Sequence, residues 1–307
     1  MHCSEWITEF LAQDPPRSKS LVVTIFGDAI VPHGGMVWLG SLIELLAPFG
    51  VNDRLLRTAV FRLAQEGWLG ARRDGRRSAY AITPEAMTRL AHAYRRIYAA
   101  PHAHWDGNWT LVVNGDGNLT PAQRSAVRKE LLWEGYRLIA PGIFGHPAAE
   151  PVALAELLER LEVQGKLLVL QASSLAGVGA RPLDELVAGS WDVDEVARGY
   201  QEFLTRFAPL AAALDGGVAA QLSPEQSFVI RTLLIHAYRR VQLHDPQLPA
   251  ALLPAPWPGA QAYALARQLY LAVYAGAERH IDTVLRSEDP QAPAAEPAFY
   301  ARFGGLQ

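Results

Sequence analysis

The sequence predicts a multidomain α+β protein, on three observations. Three short helix patterns end in a basic hairpin signal, a middle stretch alternates strand and helix patterns in the order βαββαβ, and the text beyond residue 177 carries helical periodicity. A chain of 307 residues fits two or three domains better than one core. Half the residues are apolar and 19% are charged, which excludes disordered, collagen-like and low-complexity classes. The expected divisions are 20–100, 101–176, 177–290 and a Pro- and Ala-rich tail over 291–307 that frays. The single cysteine, Cys3, rules out an internal disulfide framework and a CxxC zinc cluster, and fits a reducing, cytoplasmic compartment. Glu5, Glu9 and Asp14 break up the first twenty residues, and no run reaches the roughly 18 to 20 apolar residues of a spanning helix. Neither a signal peptide nor a membrane anchor is expected.

Leu21 to Ile30 reads as a first helix, dominated by Leu21, Val22, Val23, Ile25, Phe26 and Ile30 and stopped by Pro32, Gly34 and Gly35. A second runs from Trp38 to Leu46, with Leu39, Leu42, Ile43 and Leu46 on one face, and Pro48 and Gly50 end it. Asn52 is an N-cap for a third helix ending before Gly67, with Leu56, Ala59, Val60 and Leu63 as its core stripe. The opposite face carries Arg54, Arg57, Thr58 and Phe61, with Arg62 beside it. The text WLGARRDGRRSAYAI then reads as two strands around Asp74-Gly75, a dipeptide favoured in two-residue hairpin turns. Three helices followed by a basic hairpin are the layout of a winged helix-turn-helix, whose third helix enters the major groove of DNA. On that reading Arg54, Arg57 and Thr58 face base edges with Arg62 alongside, while Arg72, Arg73, Arg76 and Arg77 meet phosphates or a narrow minor groove. Thr83-Pro84 with Glu85 starts a fourth helix that runs to about Ala99.

The charge distribution points the same way. The net charge is -3, yet residues 21–100 hold ten arginines, no lysine and six carboxylates, a surplus of four that leaves -7 for the rest. Arginine's planar fork contacts phosphate or guanine at two points, whereas lysine acts as a point charge.

In the middle stretch Trp109 to Asn114 reads as a strand, Thr120-Pro121 caps a helix to about Glu134, and YRLIAPGIF supplies one or two strands. Leu154 to Leu161 is a second helix and Lys166 to Gln171 a last strand, which completes a ferredoxin-like βαββαβ unit. Gly177, Gly179 and Pro182 mark the next boundary. Helices then follow at Asp192 to Leu214, Pro224 to Leu243 and Ala260 to about Arg286, with a proline-rich extended connector, Pro246 to Pro258, before the last. In the middle helix Ile230, Leu233, Leu234, Ala237 and Val241 form an apolar face, with Arg231, His236, Arg239 and Arg240 off it. His236, His244, Asp245, His280 and Asp282 have the side chains of a transition-metal site but no tight ligand spacing, so capping, hydrogen bonding and dimer contacts are the expected uses.

Several long stretches resemble the PaaX family of transcriptional repressors, regulators of phenylacetate degradation. They are TIFGDAIVPHGG, VWLGSLIELLAPFGVNDRLLRTAVFRLAQEGWL and GRRSAYAIT, then AAPHAHWDGNWTLVV and YRLIAPGIFGHP, and finally LLIHAYRRVQLHDPQLPAALLPAPWPG and AERHID. The resemblance covers nearly the whole chain in order. It implies a homodimeric winged-helix repressor released from its operator DNA by an aryl-CoA thioester, typically phenylacetyl-CoA; the inverted repeat expected of that operator is a geometric need of the dimeric motif class. Arg231, Arg239 and Arg240 are then candidates for the effector's phosphates, with His236 and His244 nearby in sequence, and Tyr238, Trp257 and Tyr263 for its aryl group. One alternative is a repressor of a related pathway with a different acyl-CoA or aromatic effector; the middle fold so implied is shared with small CRISPR-associated nucleases, which raises a metal-dependent nuclease as another, with Asp116 near the end of the first strand and Asn114 at the strand end proper. No set of carboxylates converges there in sequence, so the expected protein is a regulator without catalytic residues, metal or cofactor.

Overall fold

The computed structural model describes residues 3–101, 105–115, 118–174, 178, 182–214, 219 and 221–306. Chain contacts divide it into two units: residues 1–100, 201–243 and 261–307 form the first, and residues 101–200 with 244–260 the second. Among the described residues no helix is long and apolar enough to cross a membrane.

The first unit opens with a helix that the sequence reading did not anticipate, α1 (Cys3–Gln13), whose Trp6 and Phe10 are buried. Their rings pack against Phe207 at 5.3 and 5.6 Å. The next helix, α2 (Ser18–Ile25), starts three residues earlier than expected and passes at Phe26–Ile30 into a π-turn, then into a 3-10 turn at Val31–His33. Trp38 is not helical. It ends a short strand, β1 (Met36–Trp38), ahead of α3 (Leu39–Leu46). Helix α4 (Asp53–Gln65) is capped by the Asn52 side chain and buries Leu56, Ala59, Val60 and Leu63, the stripe expected of it. The hairpin follows as β2 (Leu69–Asp74) and β3 (Arg77–Ile82), and β1 pairs with β3 to give the order β1-β3-β2. Asp74 pairs with Arg77, so the two-residue turn is Gly75-Arg76, one residue later than Asp74-Gly75. Gly75 takes the positive φ, +57°, that such a turn demands. Thr83 caps α5 (Pro84–Tyr98).

The second unit is built on β4 (Asn108–Val113), α6 (Pro121–Trp133), β5 (Arg137–Ala140), β6 (Ile143–His146), α7 (Pro151–Arg160) and β7 (Leu168–Ser173). Its sheet is antiparallel in the order β5-β6-β4-β7, the ferredoxin-like arrangement. Val112, Phe144, Val127, Leu131, Leu154 and Leu157 close a core between the sheet and its two helices. A second cluster joins Trp109 to residues of α8 (Leu183–Ser190), to Trp191, and to Leu248 and Leu252. The proline-rich connector therefore packs into this unit, with His146 hydrogen-bonded to the Pro246 carbonyl at 2.9 Å.

The remaining helices are α9 (Val193–Leu214), α10 (Pro224–Gln242) and α11 (Gly259–Glu288). In α10 twelve residues are buried, polar ones among them, because α2, α5 and α1 pack around it. Those polar groups are answered from inside the first unit. Arg231 is fully buried, and its Nε and Nη1 donate to Asp28 at 2.7 Å and Glu278 at 2.6 Å. Asp28, in the π-turn, also accepts from Arg302 at 3.0 Å, Tyr98 at 2.6 Å and Tyr270 at 3.1 Å. The Asp28 carbonyl takes two more bonds from the same arginines, at 2.8 and 2.9 Å. Burial alone would raise the Glu278 carboxyl, but its His33 hydrogen bond and the Arg231 charge outweigh that and hold it at about 2. Arg302 lies in the segment expected to fray. Residues Pro297–Gly304 instead form a 3-10 turn with Phe299, Arg302 and Phe303 buried, because the two rings and the guanidinium fill the core beside α5 and α11.

Candidate nucleic-acid interface

Helical spacing puts Arg54, Arg57, Thr58, Phe61 and Arg62 on one exposed face of α4, opposite the core stripe. Thr58 Oγ1 is turned back onto the Arg54 carbonyl at 2.9 Å. Arg57 is paired with Asp53 at 2.8 Å, an exposed i,i+4 bridge of the kind worth about 0–1 kcal/mol and readily exchanged for another partner. Phe61, 62% exposed, and Leu55, 49% exposed, give this basic face apolar surface for base or sugar edges.

In the hairpin Arg72, Arg73 and Arg76 are exposed, whereas Arg77 is tied down. Its Nη2 donates to the Glu288 carbonyl at 2.6 Å and to the Glu288 carboxylate at 2.5 Å, and its guanidinium lies 4.1 Å from the Trp38 ring centre. The sequence reading placed all four arginines alike; Trp38 and Glu288, which separate Arg77 from the rest, carried no sequence signal because Glu288 lies 211 residues away.

The residues considered for an effector have inward partners for the most part. Arg231 is held by Asp28 and Glu278. His236 Nδ1 hydrogen-bonds Thr24 at 2.8 Å, and Arg239 donates to the Ser20 carbonyl and hydroxyl at 3.2 and 2.9 Å. Arg240 is 3.7 Å from Asp14, and its side chain is 63% exposed. His244 is exposed and belongs to the second unit. The apolar stripe read on α10 is real, but the helix is enclosed, so residues off the stripe are buried too. Tyr238 is part of that core, its ring tilted against Phe203, and Tyr263 packs on Phe303. Trp257 lies against Tyr200 in the second unit, where Tyr200 donates to Asp245. A cavity of about 80 Å³ between β1, α3 and the end of α11, lined by His33, Trp38, Ser41, Leu285 and Pro293, is far below the roughly 300–1,000 Å³ of ordinary ligand sites.

Burial, with the Arg239 and Arg240 charges beside it, pushes the His236 imidazole down to about 3, against the opposing pull of Asp14. The ring is therefore neutral in the folded protein, while the unfolded chain takes up a proton below about 6.5. Stability from this group is complete above that pH and declines toward about 3. His280, lowered by burial, adds in the same sense. Urea unfolding from pH 6.5 to 4.5 should lose up to about 1.4 kcal/mol per pH unit through His236, and His236→Gln should flatten that slope. An unchanged slope in the variant counts against the buried neutral ring.

Among the described residues no three of His, Cys, Asp and Glu are grouped to hold a metal ion. Asn114 follows β4, and its N–H donates to the Gly142 carbonyl at 2.8 Å. Asp116, the nuclease candidate, lies outside the described residues.

A small helical head ending in a basic hairpin, with an antiparallel βαββαβ unit and long helices, defines a mixed α+β protein that exposes arginines on α4 and at the hairpin. Comparison with known proteins takes this one step further: the chain belongs to the PaaX-like protein family. Residues 17–86 match the PaaX-like protein family itself, 102–184 the PaaX protein central Cas2-like domain, and 191–283 the PaaX-like protein C-terminal domain. The chain is 35% identical over 292 residues to the transcriptional repressor PaaX of Escherichia coli (strain K12), covering 95% of this chain and 92% of that one. In fold it is similar to the solved structure of uncharacterized protein Rv0674 from Mycobacterium tuberculosis, with a TM-score of 0.52 and 23% identity, over 87% of this chain and 98% of that one.

Proposed function

We propose that this protein is a DNA-binding transcriptional repressor of a phenylacetate-type aromatic catabolic operon, released from its operator by an aryl-CoA thioester such as phenylacetyl-CoA. The observation that carries the reading is the near-full-length similarity to the E. coli repressor, taken with the exposed arginine face of α4. On this reading the head is a winged helix-turn-helix: α3 and α4 are its helix pair, α4 enters the major groove, and the β2–β3 hairpin is the wing. Arg54, Arg57 and Thr58 read base edges with Arg62 at their side, and Arg72, Arg73 and Arg76 contact backbone. Two copies acting together recognise an inverted repeat, which doubles the contacts of a small module. The effector binds the DNA-free conformation better, and a coupling of about 1–3 kcal/mol, about 5- to 150-fold, suffices for release. Arg240 and His244 are the exposed members of the residues considered for its charged groups.

Gel-shift titration of the protein on the DNA upstream of its own gene, without divalent metal, tests the reading. A specific complex dissolved by phenylacetyl-CoA but not by CoA or phenylacetate is the expected result. A complex indifferent to all three removes the effector, and absence of any specific complex at moderate salt removes the repressor. Arg57→Ala should cost about 1–3 kcal/mol and relax preference at the base pair it reads, whereas Arg76→Ala should weaken all sequences alike and lower the salt slope by about 1. Wild-type affinity and specificity in both variants would show that the contacts are assigned to the wrong residues.

A further inference from the structure

We propose that Glu288, the last residue of α11, is a positioning residue for the β2–β3 hairpin: it withdraws Arg77 from the set of arginines available to DNA and fixes the hairpin so that Arg72, Arg73 and Arg76 are presented. The inference deepens the DNA-binding reading above and names a residue beyond the segment 191–283 that matches the family's C-terminal domain.

Three contacts converge on one guanidinium. The Glu288 carboxylate takes one, the Glu288 carbonyl another, and the Trp38 indole covers the face. That carbonyl belongs to the last turn of α11, whose carbonyls lack partners within the helix and attract a cation. The indole is fixed in turn, because β1 pairs with β3 and sets Trp38 opposite Ala79, two residues along from Arg77. The space for the carboxylate is also built in: a Cβ on Gly40 would lie 2.5 Å from Glu288 Oε1. The carboxylate thus rests over the first turn of α3, where the helix dipole favours negative charge. One further bond, from Ser41 Oγ to the Val284 carbonyl at 3.0 Å, holds this turn of α11 against α3.

An exposed ion pair alone contributes little, and this one is 49% and 38% exposed. Its effect here comes from geometry. β1 backs β3 only from Ala79 to Ala81, so the hairpin beyond that point is two-stranded and marginal by itself, and the latch grips it at the residue that closes its turn.

Two measurements on Glu288→Ala and Arg77→Ala decide the matter. Hydrogen exchange on the free protein should show amides of residues 69–82 exchanging about three- to tenfold faster in each variant, with α4 and α10 unchanged. This arm does not depend on DNA, so it stands even if the wild type binds no operator and the repressor reading falls; equal exchange in variant and wild type overturns the proposal. In the DNA arm both variants should bind operator about three- to tenfold more weakly, and the double variant no more weakly than either single one. Glu288→Gln, which keeps an acceptor oxygen, should recover part of the loss. Were Arg77 a phosphate contact merely restrained by Glu288, Glu288→Ala would tighten binding and steepen the salt slope by about 1, and that outcome also overturns the proposal.

Discussion

Asp28→Ala is expected to be among the most destabilising single substitutions in the protein, costing the first unit about 3–5 kcal/mol. The carboxylate neutralises two arginines that are both fully buried, Arg231 and Arg302, and it accepts from Tyr98 and Tyr270 as well. Alanine would leave those groups facing one another in a buried space, and Glu278, which pairs with Arg231, can answer only one of the two charges. The π-turn sharpens the effect, since it presents the Asp28 carbonyl and carboxylate to the same two guanidinium groups. Thermal and urea unfolding followed by tryptophan fluorescence test this directly. A midpoint within a degree of the wild type would show that the cluster is not the centre of this core. Replacing all of the charged partners by apolar residues of similar volume should cost less than Asp28→Ala, because no unpaired charge then remains.

Loss of the last residues is expected to be nearly as damaging. A chain ending at residue 295 lacks Phe299 and Phe303, each 1% exposed, together with Arg302. The Phe303 ring centre stands 5.3, 5.6 and 5.1 Å from those of Tyr98, Tyr263 and Tyr270, so it plugs the space between α5 and α11. Phe303→Ala alone should cost about 3–5 kcal/mol through the cavity it leaves. The shortened chain loses that packing and also leaves Asp28 and Arg231 without Arg302. Limited proteolysis is the check: the shortened protein should be cut within the first unit under conditions that leave the full chain intact. Equal resistance would mean that this segment is peripheral despite its burial.

Sequence reading succeeded where one element carries its own signal. The α4 stripe, the Asn52, Thr83 and Thr120 caps and the βαββαβ order are written in local spacing, and the structure has them. The exposed arginines of α4 were legible for the same reason. It failed where an element is defined by distant partners. Arg231 and His236 look like surface residues on a helix with one apolar face, and only the elements packed round α10 bring them inside. The tail reads as a fraying end from its alanines and prolines, yet Arg302 and Phe303 answer residues about 200 to 270 positions earlier. Asp28 did leave a trace, an isolated carboxylate between Gly27 and Ala29 in an otherwise apolar run, and such a residue when buried needs a partner. Nothing local could say which partner. Trp38 and Glu288 likewise gave no sign of meeting over Arg77, because their spacing follows no helical or strand period.

The first unit draws on three separated stretches of chain, 1–100, 201–243 and 261–307, and this bears on its birth at the ribosome. When residue 100 emerges, α2 and α5 are present, but the helix that packs on both, α10, is still more than a hundred codons away, and Arg302 is about two hundred. The head must therefore wait with apolar and charged core groups uncovered while the ferredoxin-like unit is synthesised. Translation of this protein is expected to call on chaperones at that stage, and the head is expected to acquire its final form only once residues 297–304 have emerged.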